Sequence, residues 1–308
     1  MTKPTVDSDC VAVCPLTLRR EALLHLAAVH EPALQPALNA ALRSAKQPAW
    51  DGLWVYQQQG RITGALWVQP LAHTTAQLWL PRRGGPVGQA LLAAARAWVT
   101  EQGVTLCHVV LPPSHYVWET TLLAHSMIRL AELHHLTINL LSVTLAPELA
   151  CIELGTLSPT PIRLEAFSKL NAAAQTSLLD SISQGSLDCP ALRESLSSEA
   201  LLAGFYNQAP EAPHHWYSVN LGNERVGVLL LAPGPEHCWE LLLMGVVPQW
   251  RGQGIGRKVL QAAFKRAVSQ GATEMILTVD ANNTPALCLY LQAGLSRYAE
   301  QRLFAWRG

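Results

Sequence analysis

The sequence has no excess of charge of either sign. Its 22 lysines and arginines balance 22 aspartates and glutamates over 308 residues. Proteins that bind nucleic acids or anionic membranes generally carry clustered positive charge, and no long run of one sign occurs here. We therefore expect no nucleic-acid partner and no membrane partner.

Cysteines are few and follow no pairing pattern. Disulfide scaffolds and zinc ribbons space their cysteines at short fixed intervals, whereas this chain has an odd number without a CxxC pair. We expect reduced thiols and no metal site. The seven cysteines are Cys10, Cys14, Cys107, Cys151, Cys189, Cys238 and Cys288.

The sequence also lacks a secretory signal and a membrane-spanning run. The segment Met1–Asp9 has no apolar core, and charges or prolines interrupt every later apolar stretch before it reaches spanning length. The expected location is the cytoplasm.

Apolar residues are abundant, at 49% against 14% charged, and predict a buried core. A chain of 308 residues is long for one domain. We predict two domains, over residues 1–150 and 151–308, joined by a linker in the proline-bearing segment Leu145–Pro161.

The two halves contain a repeated pattern. Gly88 and Gly256 each open an apolar-periodic helix, and a further glycine closes that helix 15 residues later. The offset of 168 residues (256 minus 88) also aligns the predicted strand Cys107–Leu111 with Met275–Val279. The two halves therefore share one architecture.

Each half contains helices, a meander of strands, a glycine-started helix, a buried strand and a last helix and strand. Hairpin strands Ile62–Pro70, around Gly64, and Val226–Pro233, around Gly227, correspond at an offset of 163 residues (227 minus 64). Changes in loop length absorb the difference from 168. Met275–Val279 is a short apolar run typical of a strand covered on both faces. The fold class is α/β (α+β), made twice. In the second helix the apolar positions are Val259, Leu260, Ala263, Phe264 and Ala267.

A glycine-rich turn follows the predicted strand Glu240–Val246 in the second half. The sequence Arg251-Gly-Gln-Gly-Ile-Gly256 leads into a helix, where successive backbone N–H groups can bind a pyrophosphate. Two other glycine motifs do not fit. The phosphate loop of NTPases would need glycine at Arg251, and the dinucleotide fingerprint would need one at Arg257.

This segment resembles the coenzyme A loop of the GNAT superfamily, which reads Gln/Arg-x-x-Gly-x-Gly/Ala after a Val-x-Pro strand end. Val246-Val-Pro248 and the turn from Arg251 to Gly256 match it. The segment Asp280–Leu295 resembles the family's second signature, except that Leu295 replaces the usual Phe. The resemblance implies two tandem GNAT-like domains, each a mixed, mainly antiparallel sheet flanked by helices. It also implies an N-acetyltransferase with acetyl-CoA as co-substrate.

The resemblance assigns roles to individual residues. Tyr290 would protonate the departing thiolate, and Glu240 would deprotonate the amine, directly or through water. The backbone near Val246 would polarise the thioester carbonyl, and Asn283 would hold the pantetheine or the strand end. The predicted coenzyme-binding set is Val246, Val247, Pro248, Arg251, Gly252, Gln253, Gly254, Ile255, Gly256, Arg257 and Asn283.

For three of these residues a purely structural role stays open as the alternative. Tyr290 could be core packing, Glu240 an exposed strand residue, and Asn283 a turn cap before Pro285. We give Asp280 no chemical role.

The first half is a degenerate copy. Its loop contains Pro86, which has no N–H to offer, and the offset of 168 places His115 and Leu122 on Asn283 and Tyr290. We expect that this half does not bind the coenzyme. The layout resembles that of mycothiol synthase.

The acceptor is not named by the sequence. The resemblance implies that about Phe167–Phe205 shapes the acceptor pocket, with Cys189 in a loop that could border it. A small-molecule amine is the leading hypothesis. The alternatives are a peptide or protein amine, and a coenzyme A-binding module without turnover.

Overall fold

The structure, a computed structural model, describes residues 10–45, 50–143 and 161–308. Its strands and helices follow in chain order: β1 (Cys10–Val13), α1 (Arg19–Leu23), α2 (Gln35–Ser44), β2 (Leu53–Gln58), β3 (Arg61–Pro70), β4 (Thr75–Trp79), α3 (Gly85–Glu101), β5 (Leu106–Leu111), α4 (Glu119–Ala124), β6 (Ile128–Asn139), β7 (Ile162–Ala166), α5 (Ala172–Ser183), α6 (Pro190–Arg193), α7 (Ser198–Gln208), β8 (Trp216–Leu221), β9 (Glu224–Pro233), β10 (Cys238–Val246), α8 (Ile255–Ser269), β11 (Glu274–Asp280), α9 (Thr284–Gln292) and β12 (Ser296–Arg307).

The chain forms two compact units. Unit 1 contains residues 1–130 and 301–308, and unit 2 contains residues 131–300. In unit 1 the strand order is β1-β2-β3-β4-β5-β12, antiparallel except for the parallel pair β4 and β5. In unit 2 the order is β7-β8-β9-β10-β11-β6, antiparallel except for β10 and β11. Both sheets are mixed and mainly antiparallel, as predicted.

Each repeat ends in a strand that joins the sheet of the other repeat. Leu133–Asn139 of β6 pairs antiparallel with β11 in unit 2. Arg302–Arg307 of β12 pairs antiparallel with β5 in unit 1. The compact units therefore differ from the two halves of the sequence. The predicted linker lies almost wholly outside the described residues, and the domain boundaries stay a prediction.

The repeat is visible in the elements themselves. Strands β3 and β9 are the hairpin strands expected around Gly64 and Gly227. Helices α3 and α8 are the paired helices, although α3 starts three residues before Gly88 and α8 one residue before Gly256. Strands β5 and β11 follow them.

In unit 2, α8 packs on the sheet through the predicted apolar stripe. All five predicted positions from Val259 to Ala267 are buried, in one cluster with Met275, Leu277 and Val279 of β11. The prediction that β11 is covered on both faces is wrong, because Thr278 on the opposite face is exposed. A second cluster, with Leu178 and Ile182 of α5, packs against the other side of β9 and β10.

The helices of unit 2 begin at residues that suit helix starts. The side chains of Asn171, Ser197 and Asn283 accept backbone N–H groups in the first turns of α5, α7 and α9. Among the described helices, none combines the length and the apolar character needed to cross a membrane.

Candidate active site

The central feature of unit 2 is the divergence of two parallel strands. Strands β10 and β11 pair from Cys238 and Glu274 as far as Leu241 and Leu277. Both continue beyond this point, β10 along β9 and β11 along β6. A bulge at Leu242, where the register with β9 shifts, begins the divergence. The facing backbone edges therefore open into a cleft.

The cleft is lined by three parts of unit 2. One wall is the diverging segment of β10, another is the end of β11 with the start of α9, and the third is the end of α5 with the segment through α6. The lining residues are Ile182, Ser186, Asp188, Arg193, Leu241, Leu242, Leu243, Met244, Gly245, Thr278, Val279, Asn283, Ala286 and Tyr290.

The glycine-rich turn forms the start of α8. Gly254 precedes the helix with φ of 76°, in the left-handed region that favours glycine. The first N–H groups of a helix have no partner within it, and here the N–H of Lys258 is bonded to the Gly254 carbonyl at 3.3 Å. The N–H groups of Ile255, Gly256 and Arg257 lie in this first turn, at the positive end of the helix dipole.

The surface of this turn has room for an anionic group. A Cβ added at Gly252 would meet no atom within 4 Å. One added at Gly256 would meet only Cδ2 of Leu289, at 3.3 Å. The residues therefore fit the pyrophosphate predicted there. The same contact places the start of α8 beside α9, the helix that carries Tyr290.

Arg251 holds the turn in place through its side chain. Its Nε donates to the Val246 carbonyl at 2.9 Å, and its two terminal nitrogens donate to the carbonyls of Ile182 and Gln184 at 2.8 Å each. Its backbone N–H donates to the Pro248 carbonyl at 3.1 Å. A cation is favourable at the carboxyl end of α5. Arg251 thus braces the turn, and its direct contact with the coenzyme stays a prediction.

The remaining predicted coenzyme-binding residues flank this brace. The N–H of Val247 donates to the Val226 carbonyl at 2.9 Å, and the side chain of Gln253 donates to the Gln249 carbonyl at 2.9 Å. Pro248 is exposed. Their roles toward the coenzyme stay predictions.

Tyr290 is buried in α9 and lines the cleft with 6% of its surface exposed. Burial raises the pKa of its phenol, and the nearby Asp188 carboxylate raises it further. The phenol therefore keeps its proton well above neutral pH. A protonated phenol at the wall of the cleft suits the proton-donor role predicted for it.

Asn283 combines two positions that the sequence left as alternatives. Its side chain accepts the N–H of Ala286 at 3.4 Å, which makes it the cap of α9. It also lines the cleft and hydrogen-bonds to Asp188. Its predicted contact with pantetheine stays a prediction.

Asp280 is a structural residue at the end of β11, with 1% of its surface exposed. Its carboxylate accepts the N–H of Asn282 at 2.9 Å and that of Cys189 at 3.2 Å. Its own N–H donates to Asp188 at 3.3 Å. Burial and the two aspartates raise the pKa of the Cys189 thiol, so this thiol is protonated. The Cys189 segment borders the cleft, as the sequence analysis considered.

Glu240 lies on β10 opposite Ile276 of β11, in the part of the strands that stays paired. It is not among the described residues that line the cleft. Burial raises the pKa of its carboxyl, and its charge raises the pKa of Tyr298. The structure therefore brings Tyr290 and Asn283 into the cleft, and leaves the role of Glu240 as a base a prediction.

Sequence reasoning missed Asp188 and Arg193 as cleft residues. Asp188 lies in the segment that joins α5 and α6, and Arg193 lies five positions later at the end of α6. No local pattern marks either residue. Only the contact with the end of β11, some 90 positions later, brings Asp188 to the cleft.

The corresponding region of unit 1 is filled by a tryptophan. The Trp118 ring would lie 2.8 Å from a Cβ added at Gly88 and 3.9 Å from one added at Gly84. Pro86 stands in the first turn of α3, where its missing N–H removes one donor. Leu122, aligned with Tyr290, is fully buried. These features agree with the degenerate first unit that the sequence predicted.

One polar cluster outside the cleft contains histidine. Side-chain atoms of Glu132, His134 and Glu300 lie within 4.8 Å of one another. Arg297 occupies the same cluster, with Nη1 3.2 Å from Nε2 of His134 and 3.5 Å from Oε2 of Glu300. The guanidinium offsets the carboxylate charge.

Comparisons with known proteins agree with this geometry. The acetyltransferase (GNAT) family matches residues 182–295, a range that includes every residue lining the cleft. A mycothiol acetyltransferase of Jonesia denitrificans is 42% identical over 88 residues, which cover 27% of this chain and 28% of that protein. The chain matches only about a quarter of the length of its curated relatives.

Solved structures resemble nearly the whole chain. A GCN5-related N-acetyltransferase from Sphaerobacter thermophilus has a TM-score of 0.63 at 16% identity, over 98% of this chain and 97% of that one. A tandem GNAT protein from the clavulanic acid biosynthesis pathway has a TM-score of 0.53 at 16% identity, over 94% of this chain and 95% of that one. At this identity the likeness concerns the fold.

The fold is therefore that of tandem GNAT proteins. Residues 182–295 match the acetyltransferase (GNAT) family.

Proposed function

We propose that this protein is an acetyl-CoA-dependent N-acetyltransferase that transfers an acetyl group to a primary amine of a small molecule, by direct attack in a ternary complex. The observation that carries the proposal is the convergence of three features in unit 2. The diverging strands open a cleft, the bare first turn of α8 lies beside α9, and α9 presents Tyr290 to the cleft.

The residues supply what acetyl transfer requires. Acetyl-CoA provides an activated thioester when bound. Backbone N–H groups of β10 beyond Leu241 face the opening rather than β11, and are placed to polarise a carbonyl. Glu240 takes the proton of the attacking amine, directly or through water, and its raised pKa makes it a stronger base than an ordinary glutamate.

Tyr290 completes the proton balance. As the bond from nitrogen to the acetyl carbon forms and the carbon–sulfur bond breaks, the phenol gives its proton to the departing thiolate. Burial keeps the phenol protonated until that step. The two proton transfers thus involve two residues from different elements, β10 and α9.

A small-molecule acceptor is favoured over a peptide or protein by the relatives. The curated proteins that match about a quarter of this chain are named mycothiol acetyltransferases, whose name denotes a small-molecule product. The alternative that is not an enzyme is a module that binds coenzyme A without turnover. It would require neither a protonated phenol in the cleft nor Glu240.

The test is a panel of amines with acetyl-CoA, followed by release of the coenzyme thiol. The panel contains amino acids, amino sugars, polyamines and short peptides with free amino termini. We expect release above the amine-free rate with one small-molecule class. Release with peptides alone would favour the peptide alternative. Tight binding of acetyl-CoA without release for any amine would favour the binding module.

A further inference from the structure

Two side chains of opposite charge line the cleft and have no part in the proposed chemistry. Asp188 lies in the connection between α5 and α6, and Arg193 is the last residue of α6. Both face the opening where the acceptor must enter to reach Tyr290. Their contacts indicate what kind of acceptor this is.

Asp188 is fixed in position by its neighbours. Its Oδ1 accepts the N–H of Asp280 at 3.3 Å, the side chain of Asn283 also hydrogen-bonds to it, and its own N–H donates to Oγ of Ser186 at 3.2 Å. Burial and the charge of Asp280 raise its pKa, while the hydrogen bonds from Asp280 and Asn283 and the charge of Arg193 oppose the rise. The carboxylate is therefore oriented before any ligand arrives.

Among the described residues, the side chain of Arg193 has one hydrogen-bond partner. Its Nη1 donates to Oγ of Ser183 at 3.1 Å, although a guanidinium has five N–H donors. Burial lowers its pKa, yet an arginine side chain stays charged at any working pH. Among the ion pairs within 4.0 Å in the described ranges, none includes Arg193, so Asp188 does not neutralise it at contact distance.

Arg193 is partly buried and lines the cleft, so its remaining donors are available to a ligand that enters there. Arginine binds carboxylates through two parallel hydrogen bonds, which gives both strength and geometry. Asp188, held apart from Arg193 by its own partners, is free to accept a hydrogen bond from an amine. Opposite charges kept apart on one wall complement a ligand that carries both charges.

We propose that the acceptor is an amine that also carries a carboxylate, such as an amino acid, with the carboxylate on Arg193 and the nitrogen hydrogen-bonded to Asp188. The inference rests on the proposed function and specifies its substrate class. Asp188 lies close enough to influence Tyr290 electrostatically, so a nitrogen held there lies at the reactive end of the cleft.

The first experiment changes the ligand and leaves the protein intact. Thiol release from acetyl-CoA is measured with free amino acids, each paired with its own α-carboxamide. We expect kcat/KM at least about tenfold higher for the acid in the accepted pairs, as loss of one charge-assisted contact predicts. The carboxamides have the more acidic ammonium groups and hence more free amine, so intrinsic reactivity works against this result.

The second experiment changes the protein. Arg193→Gln should raise KM for the acid by about tenfold or more, leave the carboxamide rate nearly unchanged, and so erase the preference. Arg193→Lys should restore part of it, because lysine keeps the charge without the planar fork. Arg225→Gln, at an exposed arginine near the start of β9, is the matched control and should keep the wild-type preference.

The outcomes separate this inference from the proposed function. Acetyl-CoA affinity and the thermal midpoint show whether each variant is folded. Equal rates for acids and carboxamides, or a preference that survives Arg193→Gln in a folded protein, would overturn the acceptor assignment and leave acetyl transfer intact. If neither the acids nor the carboxamides give thiol release, the proposed function itself is overturned.

Discussion

The backbone N–H of Asp280 donates a hydrogen bond to Oδ1 of Asp188, with 3.3 Å between nitrogen and oxygen. In return, the carboxylate of Asp280 accepts the N–H of Cys189 at 3.2 Å. These reciprocal bonds fix the segment between α5 and α6 to the end of β11. They hold Cys189 at φ of 46°, a left-handed conformation that costs a non-glycine residue about 1–2 kcal/mol. One wall of the cleft is therefore anchored to the sheet.

This anchoring predicts how Asp188 contributes to stability as pH changes. Because the folded protein raises the pKa of Asp188, it binds more protons than the unfolded chain between the ordinary carboxyl pKa of about 3.9 and the raised value. Stability from this group therefore falls as pH rises through that window. Asp188→Asn should remove this decline, measured as the denaturant midpoint from about pH 4 to 8.

The charged groups around Asp188 are Arg193 and Asp280, and the Cys189 thiol is the neighbouring titratable group; all three are retained in that variant. Asp180→Asn, at an exposed aspartate of α5, is the control and should keep the wild-type pH dependence. A steeper decline in Asp188→Asn than in the wild type would contradict the prediction.

Stoichiometry tests the difference between the two units. Pro86 and the Trp118 ring occupy the first turn of α3 in unit 1, whereas the corresponding turn of α8 is bare. We expect calorimetry to give one acetyl-CoA site per chain. Two equivalent sites would show that the substitutions in unit 1 do not prevent binding.

The turn itself can be tested at Gly256. Gly256→Val should weaken acetyl-CoA binding by at least about tenfold, or ~1.4 kcal/mol, because the side chain enters the space of the pyrophosphate. The fold should persist, since the added Cβ meets only the flexible end of Leu289. Gly254→Val is less informative, because φ of 76° there would add backbone strain.

A matched control for that variant lies in α7. Gly204→Val also places a branched residue at an open helical position of unit 2, where a new Cβ meets no atom within 4 Å. Calorimetry should give wild-type affinity for Gly204→Val. Equal affinities in the two variants would mean that the coenzyme binds elsewhere.

Local pattern explains what the sequence could predict. The apolar period of α8, the strand before it and the glycine turn are properties of neighbouring residues, and the structure confirms them. Pairing partners are not local. Nothing in the sequence of β6 or β12 shows which unit receives it. The cover of β11 is not local either, because it depends on the packing of α8 on one face of the sheet.

The same reason separates the site residues that were predicted from those that were missed. Tyr290 and Asn283 belong to a contiguous signature, so resemblance located them. Asp188 reaches the cleft through a contact 92 positions away, and Arg193 follows it. The bracing role of Arg251 also depends on two carbonyls at the end of α5 and just after it, which lie 69 and 67 positions earlier.

Tyr290→Phe tests the proton donor. The phenyl ring keeps the packing of this buried position, so acetyl-CoA affinity should be nearly unchanged. The turnover rate should fall by on the order of 10²-fold, the typical contribution of one positioned proton donor. Because the pKa of Tyr290 is raised, the wild-type rate should not fall through ionisation of this phenol as pH passes the ordinary tyrosine pKa of about 10. A fully active variant on a confirmed acceptor would mean that water protonates the thiolate.

Glu240→Gln tests the base, and its pH profile should differ from that of Tyr290→Phe. At lower pH the amine is protonated and needs a base, so the loss of rate should be largest there. As pH rises, free amine becomes available and part of the rate should return. Because burial raises the pKa of Glu240, the wild-type rate should fall, on the acid side, at a higher pH than an ordinary glutamate would give.

Rates are measured by thiol release at saturating acetyl-CoA across the pH range. Glu236→Gln, at an exposed glutamate just before β10, should keep the wild-type profile. If Glu240→Gln keeps it as well, the amine loses its proton to another group, and Asp188 is the carboxylate that lines the cleft.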